Sequence, residues 1–138
     1  LPYISGLLIL NDASTGLPIS VMDCTWITAQ RTGAVTAVAA KHMARPDSST
    51  LGILACGVQG RSNLEALSTV FRLKKVMAYD THADVAQRFA REMSRKFDVE
   101  IEVVSRPEDA VKKMDLVVTS GPILKKPTPV IEADWLAE

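Results

Sequence analysis

The sequence predicts an α/β chain in which a doubly wound parallel sheet is preceded by a β-hairpin and a long buried helix. Three observations predict it. Beyond position 50, apolar runs of four or five residues alternate with segments of helical apolar spacing, the pattern of a parallel sheet with crossover helices. Near the start, two apolar runs flank Ser14-Thr15-Gly16, as two antiparallel strands around a turn should. Between these regions lies a segment of about twenty residues, small and apolar on nearly every side, which as a helix should be mostly buried. The 138 residues suffice for one compact unit with a real core.

The hairpin is expected over Ile4 to Met22, with Leu7-Leu8-Ile9-Leu10 as one strand and Pro18-Ile19-Ser20-Val21 opening the return. Asp23 is placed to cap the helix that follows. That helix runs through Trp26, Ile27, Ala34, Val35, Ala37, Val38 and Met43 and ends near Arg45-Pro46. Pro46-Asp47-Ser48-Ser49 reads as a linker, which divides the chain at residues 45 and 46. Leu51-Gly52-Ile53-Leu54-Ala55 is the first buried strand, and Leu64, Leu67 and Phe71 mark a helix after it. Lys75-Val76-Met77-Ala78-Tyr79 is a second strand, closed by Asp80. Ala86, Phe89, Ala90, Met93 and Phe97 form one stripe of a second crossover helix. Glu100 to Val104 alternates as a third strand, Pro107 opens a short helix ending near Met114, and Leu116-Val117-Val118-Thr119 is the fourth strand. Right-handed crossovers are expected throughout.

Composition narrows the function classes. Sixteen basic and sixteen acidic residues cancel, so no basic surface for nucleic acid is expected. No run approaches the roughly 18 consecutive apolar residues of a membrane span, and no signal peptide is visible. Cys24 and Cys56 fit no metal or redox spacing and are expected as reduced thiols, as in a cytoplasmic protein. The chain opens at Leu1 inside an apolar run and stops at Glu138 just after Ala133-Asp134-Trp135-Leu136 begins another element. It therefore reads as a module cut from a longer enzyme.

Chemistry concentrates at the first strand-to-helix turn, Ala55-Cys56-Gly57-Val58-Gln59-Gly60. It fits G-x-G-x-x-G with alanine first, and it has a strand before, a helix after and an acid downstream, as a Rossmann-like fold requires. Gly57 would let the backbone approach a pyrophosphate, Gly60 would let helix and strand pack closely, and the helix N-terminus offers amide donors. Asp80 follows Gly57 by 23 residues, where a carboxylate accepts hydrogen bonds from an adenosine ribose. A 2′-phosphate there would be repelled, which favours NAD over NADP. An ordinary glycine turn, with Asp80 merely capping the next helix, is the bland alternative.

Arg31 is the one charged residue between Asp23 and Lys41, inside the helix expected to be buried. A buried guanidinium needs an anion, so Arg31, helped by Thr32, is expected to meet a substrate carboxylate, a cofactor phosphate or a structural acid. Thr119-Ser120-Gly121 ends the fourth strand at the ligand-binding edge. Arg61 and His82 are expected as solvated surface residues, Cys56 as a packing residue with no nucleophilic role, and Lys125-Lys126 as a solvated loop.

Together these residues resemble the ornithine cyclodeaminase/μ-crystallin family. The matching pieces are Asp12-Ala13-Ser14-Thr15-Gly16-Leu17-Pro18, Thr28-Ala29-Gln30-Arg31-Thr32-Gly33-Ala34, Gly57-Val58-Gln59-Gly60-Arg61, Tyr79-Asp80 and Val118-Thr119-Ser120. Ala55 departs from the usual first glycine and should crowd the turn slightly; Gly60, where alanine is commoner, should be harmless. The resemblance implies an NAD cofactor, a small amino-acid substrate and a homodimeric parent. Residues 1–45 would be the hairpin and connecting helix of the substrate and dimerisation part, and 46–138 an incomplete NAD-binding domain. It implies cofactor contacts from Arg31, Thr32, Gly57, Val58, Gln59, Gly60, Asp80, Thr81, Thr119 and Ser120, with Arg31 also on the substrate carboxylate. It implies ornithine cyclodeamination, in which hydride leaves the amino-acid α-carbon, ammonia is lost on ring closure and the hydride returns. Relatives act instead as amino-acid dehydrogenases, imine reductases or binding proteins. The family's substrate-side lysine and acid-base aspartate would lie outside Leu1–Glu138, so no catalytic residue is assigned here and the piece alone should be inactive.

Overall fold

A computed structural model describes residues 4–122, 124–126 and 128–136. Strands β1 (Leu7–Asn11) and β2 (Pro18–Asp23) precede the long helix α1 (Thr25–Met43). Then β3 (Thr50–Leu54), α2 (Val58–Ser68), β4 (Lys75–Tyr79), α3 (Ala83–Phe97), β5 (Glu100–Val103) and β6 (Leu116–Thr119) alternate as expected. The segment opened by Pro107 is a single 3-10 turn, Pro107–Ala110, and a second covers Ala133–Trp135.

Two sheets result: β1 and β2 pair antiparallel, and β5-β4-β3-β6 form a parallel sheet in that order. From β3 the chain winds outward to β4 and β5, then returns past β3 to place β6 on its other side. Loops leaving the carboxyl ends of β3 and β6 therefore diverge and open a crevice, the place where open α/β sheets bind ligands. Leu51, Ile53, Val76 and Ala78 from the sheet are fully buried against Leu64 and Leu67 of α2 and Phe89 of α3. Asp115 fastens the opposite end of the sheet. Its carboxylate accepts hydrogen bonds from the Ser49 and Thr50 amides at 2.8 and 3.0 Å, the Thr50 hydroxyl at 2.9 Å and Arg45 at 2.6 Å.

The hairpin is shaped by its turn. The Asp12 carboxylate accepts from the amides and hydroxyls of both Ser14 and Thr15. Asp23 does not cap α1 directly. Cys24 takes the cap position, while Asp23 accepts from the Thr25 amide and hydroxyl, each at 3.0 Å.

The burial of α1 is narrower than its composition predicts. Only Ala29, Gly33 and Ala37 are buried, while Trp26 is 71% and Met43 86% exposed. The cause is geometric: α1 rests on α2 along one stripe of small residues, and a single helical neighbour covers one face only. At Gly33 the two backbones meet, since a Cβ there would lie 2.3 Å from the Ser62 carbonyl oxygen.

Candidate functional site

The turn between β3 and α2 sits at the mouth of the crevice. Ala55 adopts φ +79°, the left-handed conformation that the sequence motif normally reserves for glycine. It is held there from both sides: its amide donates to the Tyr79 carbonyl at 2.8 Å, and its carbonyl accepts the Ser120 hydroxyl at 2.8 Å. Ser120 thereby ties the end of β6 to the turn.

Gly57 caps α2 with φ −73°, a value any residue adopts, and a Cβ there would meet nothing within 4 Å. Among the described residues, neither strain nor a neighbouring atom accounts for a glycine at this point. No side chain caps α2, so the amides of Val58, Gln59 and Gly60 are free to bind an anion, with the helix dipole behind them. Gly60 does what the motif requires. Its missing Cβ would stand 2.5 Å from the Ala55 carbonyl oxygen and 3.4 Å from Ile53 Cγ2. Glycine at 60 is thus harmless, as expected, and here alanine would be the crowded residue, because the left-handed turn brings the Ala55 carbonyl under the helix.

Asp80 leaves the end of β4 and reaches across. Its Oδ2 accepts the Cys56 amide at 2.8 Å and its Oδ1 the His82 amide at 2.9 Å, with 12% of the side chain exposed. A carboxylate offers about four acceptor sites, so accepting two amides leaves acceptor capacity unused. Asp80 is both a support of the turn and a group at its rim. His82 is exposed, with Nδ1 3.6 Å from Asp80 and 3.1 Å from the exposed Thr81 hydroxyl. Burial, and then the Asp80 charge, push the Cys56 thiol up to about 12, so it stays protonated and is no nucleophile.

Behind the turn, Thr25, Thr28 and Ala29 of α1 face Val58, Gln59, Ser120, Gly121 and Pro122 across a cleft of about 430 Å³. That volume lies within the range of small-molecule sites. Arg31 is not part of it. Its side chain lines a broader groove with Trp26, Ile27 and Glu65 between α1 and α2. Arg31 is exposed and makes no ion pair with the described residues. The burial expected from the helix's composition is therefore not found at Arg31. Thr32 donates its hydroxyl to the Thr28 carbonyl at 2.8 Å, and Thr119 is exposed.

The sequence profile of the ornithine cyclodeaminase/mu-crystallin family matches residues 1–138. The chain belongs to that family. It is 40% identical over 138 residues to an alanine dehydrogenase of Archaeoglobus fulgidus, covering all of this chain and 41% of the relative. Among solved structures, Thermococcus litoralis Δ1-pyrroline-2-carboxylate reductase in complex with NADH and L-proline superposes with a TM-score of 0.91. The identity is 38%, over 99% of this chain and 41% of that one. A lysine cyclodeaminase structure, concerned with recognition of L-lysine, L-ornithine and L-2,4-diaminobutyric acid, gives 0.88 at 34% identity, over 96% of this chain and 38% of that one. The chain thus spans about two fifths of the length of these family members.

Within this family frame the structure gathers Gly57, Val58, Gln59, Gly60, Asp80 and Ser120 around one crevice. Arg31 lines a separate groove, Thr119 is exposed at the end of β6 beside Ser120, and Thr81 is exposed beside Asp80. Sequence reasoning passed over Thr25, Thr28 and Ala29 as cleft residues. Their spacing of three and four along α1 places them on one helix face, which was the available signal. Arg61 was also misplaced: it is 28% exposed and bound on several sides, not solvated. Lys125 and Lys126 are exposed as expected, and no helix among the described residues is long and apolar enough to cross a membrane.

Proposed function

We propose that this chain is the dinucleotide-binding portion of an NAD(H)-dependent enzyme acting on small amino or imino acids. The observation that carries it is the glycine turn at the sheet's switch point, where a Cβ on Gly57 would meet nothing within 4 Å and the Asp80 carboxylate, accepting two amides, keeps acceptor capacity beside the turn. This supports a pyrophosphate at Gly57 and a ribose at Asp80. Bound there, the cofactor would accept or donate hydride. The chain's own residues bind and orient it: the amides of Val58, Gln59 and Gly60 face the phosphates, Asp80 accepts from the adenosine ribose, and Thr119, Ser120 and Thr81 border the site. Arg31 and Thr32, on the exposed length of α1, meet the cofactor or the substrate carboxylate in the whole protein. The hairpin and α1, residues 1–45, belong to the substrate and dimerisation part, and 46–138 to the nucleotide unit. The parent is a cytoplasmic homodimer, and its acid-base groups lie outside this chain, which by itself turns over nothing.

Within this class, an alanine dehydrogenase or pyrroline-2-carboxylate reductase is favoured by the 40% and 38% identities to such relatives. Ornithine or lysine cyclodeamination stands second, favoured by the 34% identity to a lysine cyclodeaminase. A μ-crystallin-like binding role is what remains if no turnover is found. The whole protein is assayed with NAD⁺ against alanine, proline, ornithine and lysine. Net NADH marks a dehydrogenase, ammonia without net NADH a cyclodeaminase. Asp80→Asn keeps an acceptor for the Cys56 amide while removing the charge. It is expected to weaken NADH binding by about tenfold and narrow its advantage over NADPH. Unchanged affinity for both would refute the ribose assignment.

A further inference from the structure

Arg61 stands in the first turns of α2, beside a site proposed to bind phosphates, yet all of its nitrogen types are engaged within the protein. Nε and Nη2 donate to Glu92 Oε2 on α3 at 3.2 and 2.8 Å. Nη1 donates to the Cys56 carbonyl and, at 3.3 Å, to the Gly57 carbonyl. The Phe89 ring supports the guanidinium, with its centroid 5.5 Å away. On the other side of the same residue, Asp80 takes the Cys56 amide. Residue 56 is therefore gripped at its N–H by a carboxylate and at its C=O by a guanidinium.

The peptide group is planar and trans, so holding a carbonyl fixes the next N–H on the opposite side. With the Cys56 and Gly57 carbonyls turned toward Arg61, the Gly57 and Val58 amides face away from it. A flip of either peptide would present an oxygen where the amide now points. We propose that Arg61, held by Glu92, is a positioning residue for the dinucleotide pyrophosphate, acting through the glycine turn without touching the phosphates. The inference rests on the dinucleotide reading given above and names what keeps that site in its binding shape. Glu92 is the part most open to test, since it is 52% exposed and contributes nothing to the core.

The two accounts of this pair differ in sign. If only charge mattered, removing the Glu92 carboxylate near an anion site would tighten NADH binding. If Glu92 holds Arg61 against the turn, the same change loosens it. NADH affinity is measured by fluorescence for the unmodified protein, Glu92→Gln and Arg61→Lys, with ADP and adenosine as competitors. Both variants are expected to lose about tenfold in NADH and ADP affinity while adenosine binding is unchanged. Arg61→Lys keeps the charge but not the planar fork, so it separates positioning from a point charge. Unchanged or tighter NADH binding by Glu92→Gln overturns the inference and leaves the dinucleotide reading intact. Equal losses for ADP and adenosine also overturn it, because general damage to the fold then explains the result. An unmodified protein that binds no NADH removes both.

Discussion

Placing alanine at position 60 tests how closely packing and binding are linked at the glycine turn. The new Cβ would lie 2.5 Å from the Ala55 carbonyl oxygen. Reaching about 3.3 Å, the near limit of ordinary C···O contact, requires a shift of roughly 0.8 Å between the first turn of α2 and the end of β3. Overpacking of this kind costs about 1–3 kcal/mol, while the better helix propensity of alanine returns about 1 kcal/mol. Gly60→Ala should therefore destabilise the chain by about 1 kcal/mol, read by urea denaturation. The functional loss should be larger, since the amides of Val58 and Gln59 move with the helix. A hydrogen bond stretched by most of an ångström is effectively broken, and NADH affinity should fall about tenfold or more. Adding Ala55→Gly supplies the compensation, because a glycine at φ +79° carries no side-chain strain and lets the turn draw back. The double variant should recover most of both losses. Gly60→Ala with unaltered stability and NADH affinity, or a double variant worse than the single one, would refute this reasoning.

Gly57→Ala is the complementary case: φ −73° suits alanine and its Cβ meets no protein atom, so stability should hold within about 0.5 kcal/mol while NADH binding is largely lost. Loss of stability without loss of binding would mean the space at Gly57 serves the fold. Asp115 should govern part of the acid sensitivity. Hydrogen bonds from the Ser49 amide and the Thr50 hydroxyl lead the interactions that lower its carboxyl from 3.8 to about 2. Its folded-state value is depressed, so its contribution, at most about 2 kcal/mol, is complete above the unfolded value and fades as pH falls toward the folded one. Asp115→Asn should cost stability near neutral pH, with the deficit shrinking below about pH 4, as denaturant midpoints across that range will show. A deficit that grows on acidification contradicts the assignment.

Much of the scaffold was legible because its signals are local. The strands Lys75–Tyr79 and Leu116–Thr119 stand where short apolar runs placed them, and the turn at Ala55–Gly60 declared itself by glycine spacing between strand and helix. Two features were not legible, for different reasons. Apolar residues on every side of α1 record that the helix can be buried, but not which neighbours cover it, so Trp26 and Met43 emerged exposed and Arg31 solvated. The grip on Arg61 depends on Glu92, 31 positions along the chain, and on the direction of two carbonyls. Residue identity encodes neither. The left-handed conformation of Ala55 lay between these cases. The motif marked the position as a glycine site, and only the surrounding bonds from Tyr79 and Ser120 show why an alanine is held there regardless.

The hairpin separates shape from stability. Its turn is specified within a few residues, since Asp12 gathers four hydrogen bonds from Ser14 and Thr15. Its register follows, with Leu8 opposite Met22 and Ile9 opposite Val21. Yet a two-stranded ribbon is at best marginal in water, and Leu7, Ile9, Ile19 and Val21 all turn one exposed face outward. Such a ribbon is drawn in advance but not self-supporting: its outline is written by a polar knot at one end, and its persistence depends on what lies against its greasy side. Changes at Asp12 should therefore blur the ribbon's alignment, whereas changes at Ile9 or Val21 should leave its outline intact and alter its adhesion.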